Sequence, residues 1–297
     1  MTTETASDEA RDTAPKAKRK LTGYWLILPG ALWLGLFFVI PFYSLIATSL
    51  FDPTGSVLTG YSMDWHFANF ANALSDFWQP LVRSLGYAAV ATLFCLVLGY
   101  VLAYAIAFKA GRWKNLMLVL VIAPFFTSFL IRTLSWKLIL SDDGWIVNAF
   151  QAVNLLGENG RLLATPFAVI AGLTYNFLPF MVLPIYASLE KIDHRLIEAS
   201  GDLYASPMRG FFKVTWPLSL PGVVGGTLLT FIPAAGDYIN AQLLGSPNQR
   251  MVGNVIQNLF TTSNDYAAAG ALSMILMIII VAMVLLYVRK SGTEELV

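Results

Sequence analysis

Long runs of apolar residues dominate the chain, and polar residues fall mainly between these runs. A helix that crosses the hydrocarbon core of a bilayer needs about 20 apolar residues, and membrane-spanning strands would instead show short alternating segments. Six runs have this length and little or no charge, and the fifth contains only Asp237 near its end. The pattern predicts an all-α integral membrane protein with six transmembrane helices, at about 24–50, 84–108, 115–131, 162–189, 214–240 and 266–288.

The composition agrees with a lipid environment. Hydrophobic residues make up 57% of the chain and charged residues 12%, against about 45–50% and about 25% in ordinary globular proteins. A net charge of +1, with basic residues scattered along the sequence, argues against nucleic acid as a partner. The single cysteine, Cys95, excludes an internal disulfide and a cysteine-based metal site.

The basic residues between the runs predict the orientation. Lys and Arg number 14 in the N-terminal tail and the alternate segments that lie on its side, and 5 in the remaining segments. Because cytoplasmic loops carry the excess of Lys and Arg, both termini are expected in the cytoplasm. Residues 1–22 are predicted to form a disordered tail, 23–290 a transmembrane domain, and 291–297 a short second tail.

Catalytic and metal-binding motifs are absent from the sequence. There is no phosphate-binding G-x-x-x-x-G-K-[ST] loop, no H-E-x-x-H, and no G-x-S-x-G elbow. The two histidines lie in different segments, and Asp142-Asp143 is predicted to be a solvated turn. A proton- or sodium-driven carrier would bury several ionisable groups, but only Asp237 is a serious candidate. We therefore predict no catalytic residues and no metal.

The segment 190–217 is the most distinctive part of the chain outside the apolar runs. It begins as an amphipathic helix, and Pro207 is suited to the first turn of a following helix. Two short helices across one face would form a docking platform for a partner, although a loop packed under its own bundle is an alternative. The predicted apolar side consists of Leu189, Ile192, Leu196, Ile197 and Leu203.

This segment resembles the EAA loop of ATP-binding-cassette (ABC) importer permeases, E-A-A followed by G and later by I-x-L-P. Glu198, Ala199 and Pro217 match, and Val214 is a conservative match to the Ile. Three residues depart from the pattern: Ser200 stands for the second Ala, Trp216 for the Leu, and Tyr204 for the Gly. Residues 175–193, 231–238 and 243–245 are similar to spermidine/putrescine importer permeases, and the likeness extends over about 20–290.

The resemblance implies the type I ABC importer permease fold in a bacterial inner membrane. It also implies a cytoplasmic ABC ATPase dimer, a second and related permease subunit, and an extracytoplasmic solute-binding protein. ATP and Mg would belong to the ATPase, and this chain would carry no cofactor. The residues implied to dock on the ATPase are Glu198, Ala199, Ser200, Gly201, Asp202, Leu203, Tyr204 and Pro217. The transport of a polycation calls for carboxylates and aromatic faces, and the candidates are Asp237, Tyr238, Tyr175, Asn176 and Trp145.

Several alternatives stay open at this point. The solute of such an importer could instead be thiamine, an iron chelate or an opine-like compound. An energy-independent channel or a secondary carrier would leave the segment 190–217 without a role, and an intramembrane enzyme would need a nucleophile–base pair that the spans lack. Asp237 could end the fifth span at the outer interface and meet only water, and Glu198 could be a solvated surface carboxylate.

Overall fold

The structure is a computed structural model that describes residues 22–55, 59–153, 156–157 and 160–290. The two predicted tails, apart from Thr22, lie outside these residues. The described chain is helical, and its only β-type pairing is a single bridge between Phe51 and Met63. The α-helices are α1 (Thr22–Leu34), α2 (Ile40–Ser49), α3 (Ala68–Tyr104), α4 (Lys114–Ile122), α5 (Phe129–Ile139), α6 (Trp145–Ala152), α7 (Pro166–Glu190), α8 (His194–Asp202), α9 (Pro207–Gly210), α10 (Trp216–Ala235), α11 (Ile239–Leu244), α12 (Val252–Asn258) and α13 (Tyr266–Lys290).

Five continuous helical stretches in the described residues are long and apolar enough to cross a membrane. A sixth span is obtained when one bent pair of helices is counted as a single crossing. The prediction of an all-α membrane protein is therefore confirmed. The continuous stretches are Trp25–Ser49, Ala68–Lys109, Pro166–Glu190, Pro207–Ala235 and Tyr266–Lys290.

The third predicted span, 115–131, is not one continuous helix. Gly111–Phe126 and Phe129–Ile139 meet at an angle of 95°. Pro124 cannot donate a backbone hydrogen bond, and the helix tightens around it into a 3₁₀ turn before Thr127 adopts an extended conformation. The apolar run is continuous in sequence, but the helix through it is broken.

Two other predicted spans also differ from the observed helices. The second span starts at Ala68 instead of residue 84, and it bends at Phe77, three residues before Pro80. The helical part of the fifth span ends at Ala235 instead of residue 240, and the short helix α11 follows after a break at residues 236–238. Both differences arise at helix interruptions, which an average of hydrophobicity along the sequence does not resolve.

The chain divides into two compact units between Ile46 and Ala47. In the first unit, the large apolar side chains of α1 and of the π-helical segment Gly35–Val39 are exposed, as expected for a lipid-facing helix. In the second unit, α3, α7 and α10 form the centre. Added Cβ atoms at Gly99 and Gly226 would lie 3.1 and 2.9 Å from the side chain of Met181, so small residues bring these three helices together.

Candidate functional site

The first half of the segment 190–217 folds as the amphipathic helix that the sequence predicts. Asp193 caps α8, because its Oδ1 accepts a hydrogen bond from the amide of Arg195 at 2.9 Å. Ile192 is buried, and Ile197 packs against the hydrophobic core. Leu196 and Leu203, which the sequence places on the same apolar side, are instead exposed. Only part of the predicted apolar side therefore faces the bundle.

Tyr204 adopts the left-handed conformation that glycine adopts without steric cost. Its φ angle is 57°, and its side chain is 97% exposed. The sequence placed Tyr204 where importer permeases have glycine, and the turn after α8 keeps the backbone geometry that glycine favours. Gly201 does not form the turn, because it lies within α8. The tight turn is therefore made by a tyrosine at a strained position.

The second half of the segment continues directly into the membrane. Ser206 caps α9 and Pro207 occupies its first turn, as the sequence predicts. The helix then passes through the π-helical segment Phe211–Thr215 into α10, so α9 is the first turn of the fifth span and not a separate helix. Trp216 contacts Tyr100 of α3, with ring centroids 5.1 Å apart. α9 is thus continuous with the helix that crosses the centre of the bundle, and α8 joins it through the turn at Tyr204.

A close approach joins α8 to α9. An added Cβ at Gly210 would lie 2.9 Å from the Oγ of Ser200, so a small residue is needed on each side. The backbone carbonyl of Ser200 also accepts a hydrogen bond from the amide of Ala205 at 3.1 Å. Ser200 therefore serves the packing role that the second alanine of the EAA pattern can also serve.

The exposed surface of α8 and α9 combines apolar side chains with two carboxylates, Glu198 and Asp202, that have no partner within the described residues. Glu198 is exposed, and its carboxylate makes no hydrogen bond or ion pair within the described residues. Four of the residues implied by the resemblance lie on this surface; Gly201, Asp202 and Pro217 are also exposed, and Ser200 is half-buried. We call this surface the loop face; it consists of Glu198, Ala199, Leu203, Tyr204, Met208 and Phe212.

Asp237 lies in the break between α10 and α11 and is buried, with 9% of its surface exposed. Its Oδ1 accepts hydrogen bonds from the backbone amide and the side-chain amide of Asn240, at 2.8 and 3.2 Å. Its Oδ2 accepts no hydrogen bond from the described residues. Burial and the hydrogen bonds to Asn240 argue against the alternative in which Asp237 meets only water.

Asn176 connects Asp237 to the broken third span. The Asn176 side-chain amide lies 3.1 Å from Oδ1 of Asn240 and 3.2 Å from Oγ1 of Thr133 in α5. We call Asp237, Asn240, Asn176 and Thr133 the polar cluster. Sequence reasoning found Asp237 and Asn176 but missed Asn240 and Thr133; polar side chains within or beside apolar runs were the available signal.

The other three pathway candidates, Tyr238, Tyr175 and Trp145, do not belong to the polar cluster. Tyr238 is exposed, and its backbone carbonyl accepts a hydrogen bond from Asn254 at 2.7 Å. Tyr175 points away from the polar cluster and contacts Trp136, with ring centroids 5.5 Å apart. Two adjoining cavities of about 330 and 370 Å³ share Trp136 as a wall. We call their lining the aromatic groove; it includes Trp136, Phe167, Tyr175, Phe94, Trp145 and Phe150.

Asp142-Asp143 forms an exposed turn between α5 and α6, as the sequence predicts, and Asp142 pairs with Arg161 in the segment before α7. The Nε and Nη2 atoms of Arg161 donate hydrogen bonds to Oδ2 of Asp142, at 2.9 and 2.5 Å. These hydrogen bonds hold the pKa of Asp142 below its usual value and raise the pKa of Arg161. Both side chains are exposed, so this pair orders the loop more than it stabilises the fold. Within the described residues, no group of three or more His, Cys, Asp or Glu side chains could hold a metal ion.

Comparison with known proteins decides the family. Residues 56–291 match the family described as "Binding-protein-dependent transport system inner membrane component". The chain belongs to this family. It is a multi-pass inner membrane protein and a transport subunit of the ABC permease type.

Individual relatives refine the comparison. The permease is 38% identical over 262 residues to the spermidine/putrescine transport system permease protein PotB of Salmonella typhimurium (strain SL1344), covering 87% of this chain and 90% of that protein. It is 37% identical to PotB of Escherichia coli (strain K12), covering 87% and 94%. It is 29% identical to the inner membrane ABC transporter permease protein YdcU of the same strain, covering 92% and 91%.

The fold also matches a solved transporter. A chain from the crystal structure of a bacterial ABC transporter that imports the acidic polysaccharide alginate superimposes with a TM-score of 0.72. The alignment covers 94% of this permease and 97% of that chain, at 18% identity. This similarity confirms the type I ABC importer permease fold.

Proposed function

We propose that this permease is one membrane subunit of an ATP-driven importer of spermidine or putrescine. The observation that carries the proposal is 37–38% identity over most of the chain to spermidine/putrescine permeases. Family membership favours this function over a channel, a secondary carrier or an intramembrane enzyme. The complex would contain two ATPase subunits, a second permease and an external binding protein, with both termini of this chain in the cytoplasm.

The loop face is the proposed docking surface for the ATPase. Its exposed apolar side chains gain free energy when a partner covers them, and Glu198 has no partner of its own within the described residues. The carboxylate would pair with a basic side chain of the ATPase or with a helix N-terminus. ATP and Mg would bind to the ATPase, and this chain would supply no catalytic group. Closure of the ATPase dimer would move α8, and the continuous helix from α9 into α10 would carry that movement into the bundle.

The solute pathway is proposed to use both the polar cluster and the aromatic groove. The free Oδ2 of Asp237 would accept a hydrogen bond from a solute ammonium group, while Asn240 holds the carboxylate in place. The aromatic groove offers ring faces, which attract cations and contact the methylene chain of a polyamine. Asp237 lies in the break between α10 and α11, and discontinuous helices are typical of membrane transport sites.

The proposal is tested in the reconstituted complex with two isosteric variants. Glu198→Gln should lower ATP-driven polyamine uptake about tenfold or more, because a charged hydrogen bond worth about 1.5–3 kcal/mol is lost from the interface. Asp237→Asn should lower uptake by a similar factor but leave the ATPase bound, because the change affects only the solute contact. Uptake of labelled spermidine and the amount of bound ATPase are measured together.

Asp143→Asn is the matched control, because it neutralises an exposed carboxylate in the turn between α5 and α6. It should leave both quantities unchanged. Normal uptake by the Glu198→Gln complex would refute the docking role. Normal uptake by Asp237→Asn would refute the role of Asp237 in the pathway. Competition by unlabelled thiamine or an iron chelate, and not by putrescine, would refute the proposed solute.

A further inference from the structure

Arg132 in α5 is a buried cation whose hydrogen-bonding capacity is largely unused. Only 8% of its surface is exposed, and its Nε and Nη1 have no hydrogen-bond partner within the described residues. The guanidinium carbon lies 5.7 Å from the ring centroid of Phe125 and 5.5 Å from that of Phe129. Arginine stays charged in proteins, so these two rings are the principal compensation that the described residues provide.

None of the acidic side chains in the described residues forms an ion pair with Arg132. The three ion pairs found there join Lys114 to Glu190, Arg161 to Asp142, and His66 to Asp64. Charged side chains at membrane depth face a partner group or a water-filled cavity, because an isolated charge is costly there. An anion from outside the described residues is therefore expected at Arg132, and it would bind at Nη2, because Nε and Nη1 are fully covered by the chain itself.

The position of Arg132 within the membrane excludes lipid head groups as the source of this anion. The next residue, Thr133, lies 3.2 Å from the side-chain amide of Asn176. Asn176 lies in the middle part of α7, roughly 15 Å from the start of the helix and 21 Å from its end at about 1.5 Å per residue. Lipid phosphates lie at the membrane surfaces, so a head group does not reach this depth. The anion is thus a protein carboxylate or a group of the solute.

We infer that Arg132 binds an Asp or Glu side chain of the second permease subunit at membrane depth. This inference rests on the proposed function, because it requires a second permease and a cationic solute. A polyamine carries no negative charge and would be repelled by the guanidinium, which leaves the neighbouring subunit as the source of the carboxylate. The ion pair would fix the register of the two permeases beside the polar cluster, and its removal would leave the partner's carboxylate uncompensated.

The test compares Arg132→Met, Arg132→Lys and the control Lys137→Met in tagged permease purified with and without its second subunit. Lys137 lies on the same helix but is exposed, so its variant removes the same charge from the surface. Arg132→Met should reduce the amount of second subunit recovered about tenfold or more and lower the melting temperature of the complex. In permease purified alone, the same change should leave the melting temperature unchanged or raise it, because an unpaired buried cation is removed. Arg132→Lys should retain most of the assembly, and Lys137→Met all of it.

A suppressor selection identifies the partner group. In an Arg132→Glu background, restored uptake should come from substitutions of one Asp or Glu in the second permease by Lys, Arg or a neutral residue. Normal assembly of the Arg132→Met complex would overturn the inference. An equal loss of stability of the Arg132→Met variant in the isolated permease and in the complex would also overturn it. Suppressors of Arg132→Glu that are confined to this chain would do the same. If the wild-type permease binds no second permease, the proposed function is refuted instead. This result can be told apart from a failure of the inference, because it is obtained with the unmodified protein.

Discussion

Tyr204 holds a backbone conformation that costs L-residues about 1–2 kcal/mol, and its exposed ring makes little contact that would offset this cost. The tyrosine also stands at the tip of the loop face, between Leu203 and α9. A strained residue with a large exposed ring is best explained when the ring has its partner outside the chain. The strain at Tyr204 therefore supports a docking role for the turn itself.

Two substitutions at Tyr204 separate the backbone from the ring. Tyr204→Gly and Tyr204→Ala both remove the ring, but only glycine relieves the left-handed strain. The glycine variant should be more stable than the alanine variant by about 1 kcal/mol, a difference of about 2–4 °C in the melting temperature of the purified permease. Both variants should weaken ATPase binding to the same extent. Equal melting temperatures would show that the turn is not strained in the folded protein.

At the scale of the elements, the contact between α8 and α9 holds the two helices of the loop face together. Gly210→Ala should destabilise the permease by about 1 kcal/mol, because the new methyl group forces Ser200 Oγ away from the carbonyl of Ile197, to which it donates at 2.7 Å. Ser200→Ala removes the obstructing hydroxyl, so the double variant should recover most of that loss. The thermal stabilities of the four proteins form a double-mutant cycle.

Gly201→Ala provides a control on the same helix, because an added Cβ there meets no atom within 4 Å. It should stabilise the permease slightly, by up to about 1 kcal/mol, since alanine favours helix more than glycine does. Additive effects of Ser200→Ala and Gly210→Ala would mean that the two helices do not approach as closely as the structure shows.

Helix interruptions mark the limit of what the sequence predicts about these elements. The apolar runs predict the spans because helix length and hydrophobicity are local properties. The presence of Pro124 does not by itself predict the 95° bend, because proline is also frequent in continuous membrane helices. The α8 helix, its polar and apolar sides and the start of α9 at Pro207 follow from local signals in 190–217. The burial of Arg132 and the exposure of Leu196 depend on tertiary contacts instead.

The arrangement of the polar cluster also depends on contacts between distant residues. Asn176 and Asn240 are 64 positions apart and meet only because α7, α10 and α11 fold together. Tyr175 and Asn176 are adjacent in sequence, yet one lines the aromatic groove and the other joins Asp237, since neighbouring residues of a helix point in different directions. Residue type alone therefore suggested a single site, but the fold places these residues in two, the polar cluster and the aromatic groove.

At the scale of the whole molecule, the described part of the permease exposes surfaces that it does not cover by itself. The loop face presents apolar side chains beside an unpaired carboxylate, and Arg132 lacks an anion within the described residues. The fold and the family place this chain among subunits of larger transport complexes. These features have a common explanation if the permease functions only in an assembly.

The most direct measurement is to purify the tagged wild-type permease from native membranes in mild detergent and to quantify the proteins bound to it. The account predicts a stoichiometric nucleotide-binding ATPase and a second permease, with ATP hydrolysis that spermidine-loaded binding protein stimulates. A well-folded permease that elutes alone, with no ATPase recovered even after cross-linking in intact cells, would contradict the account.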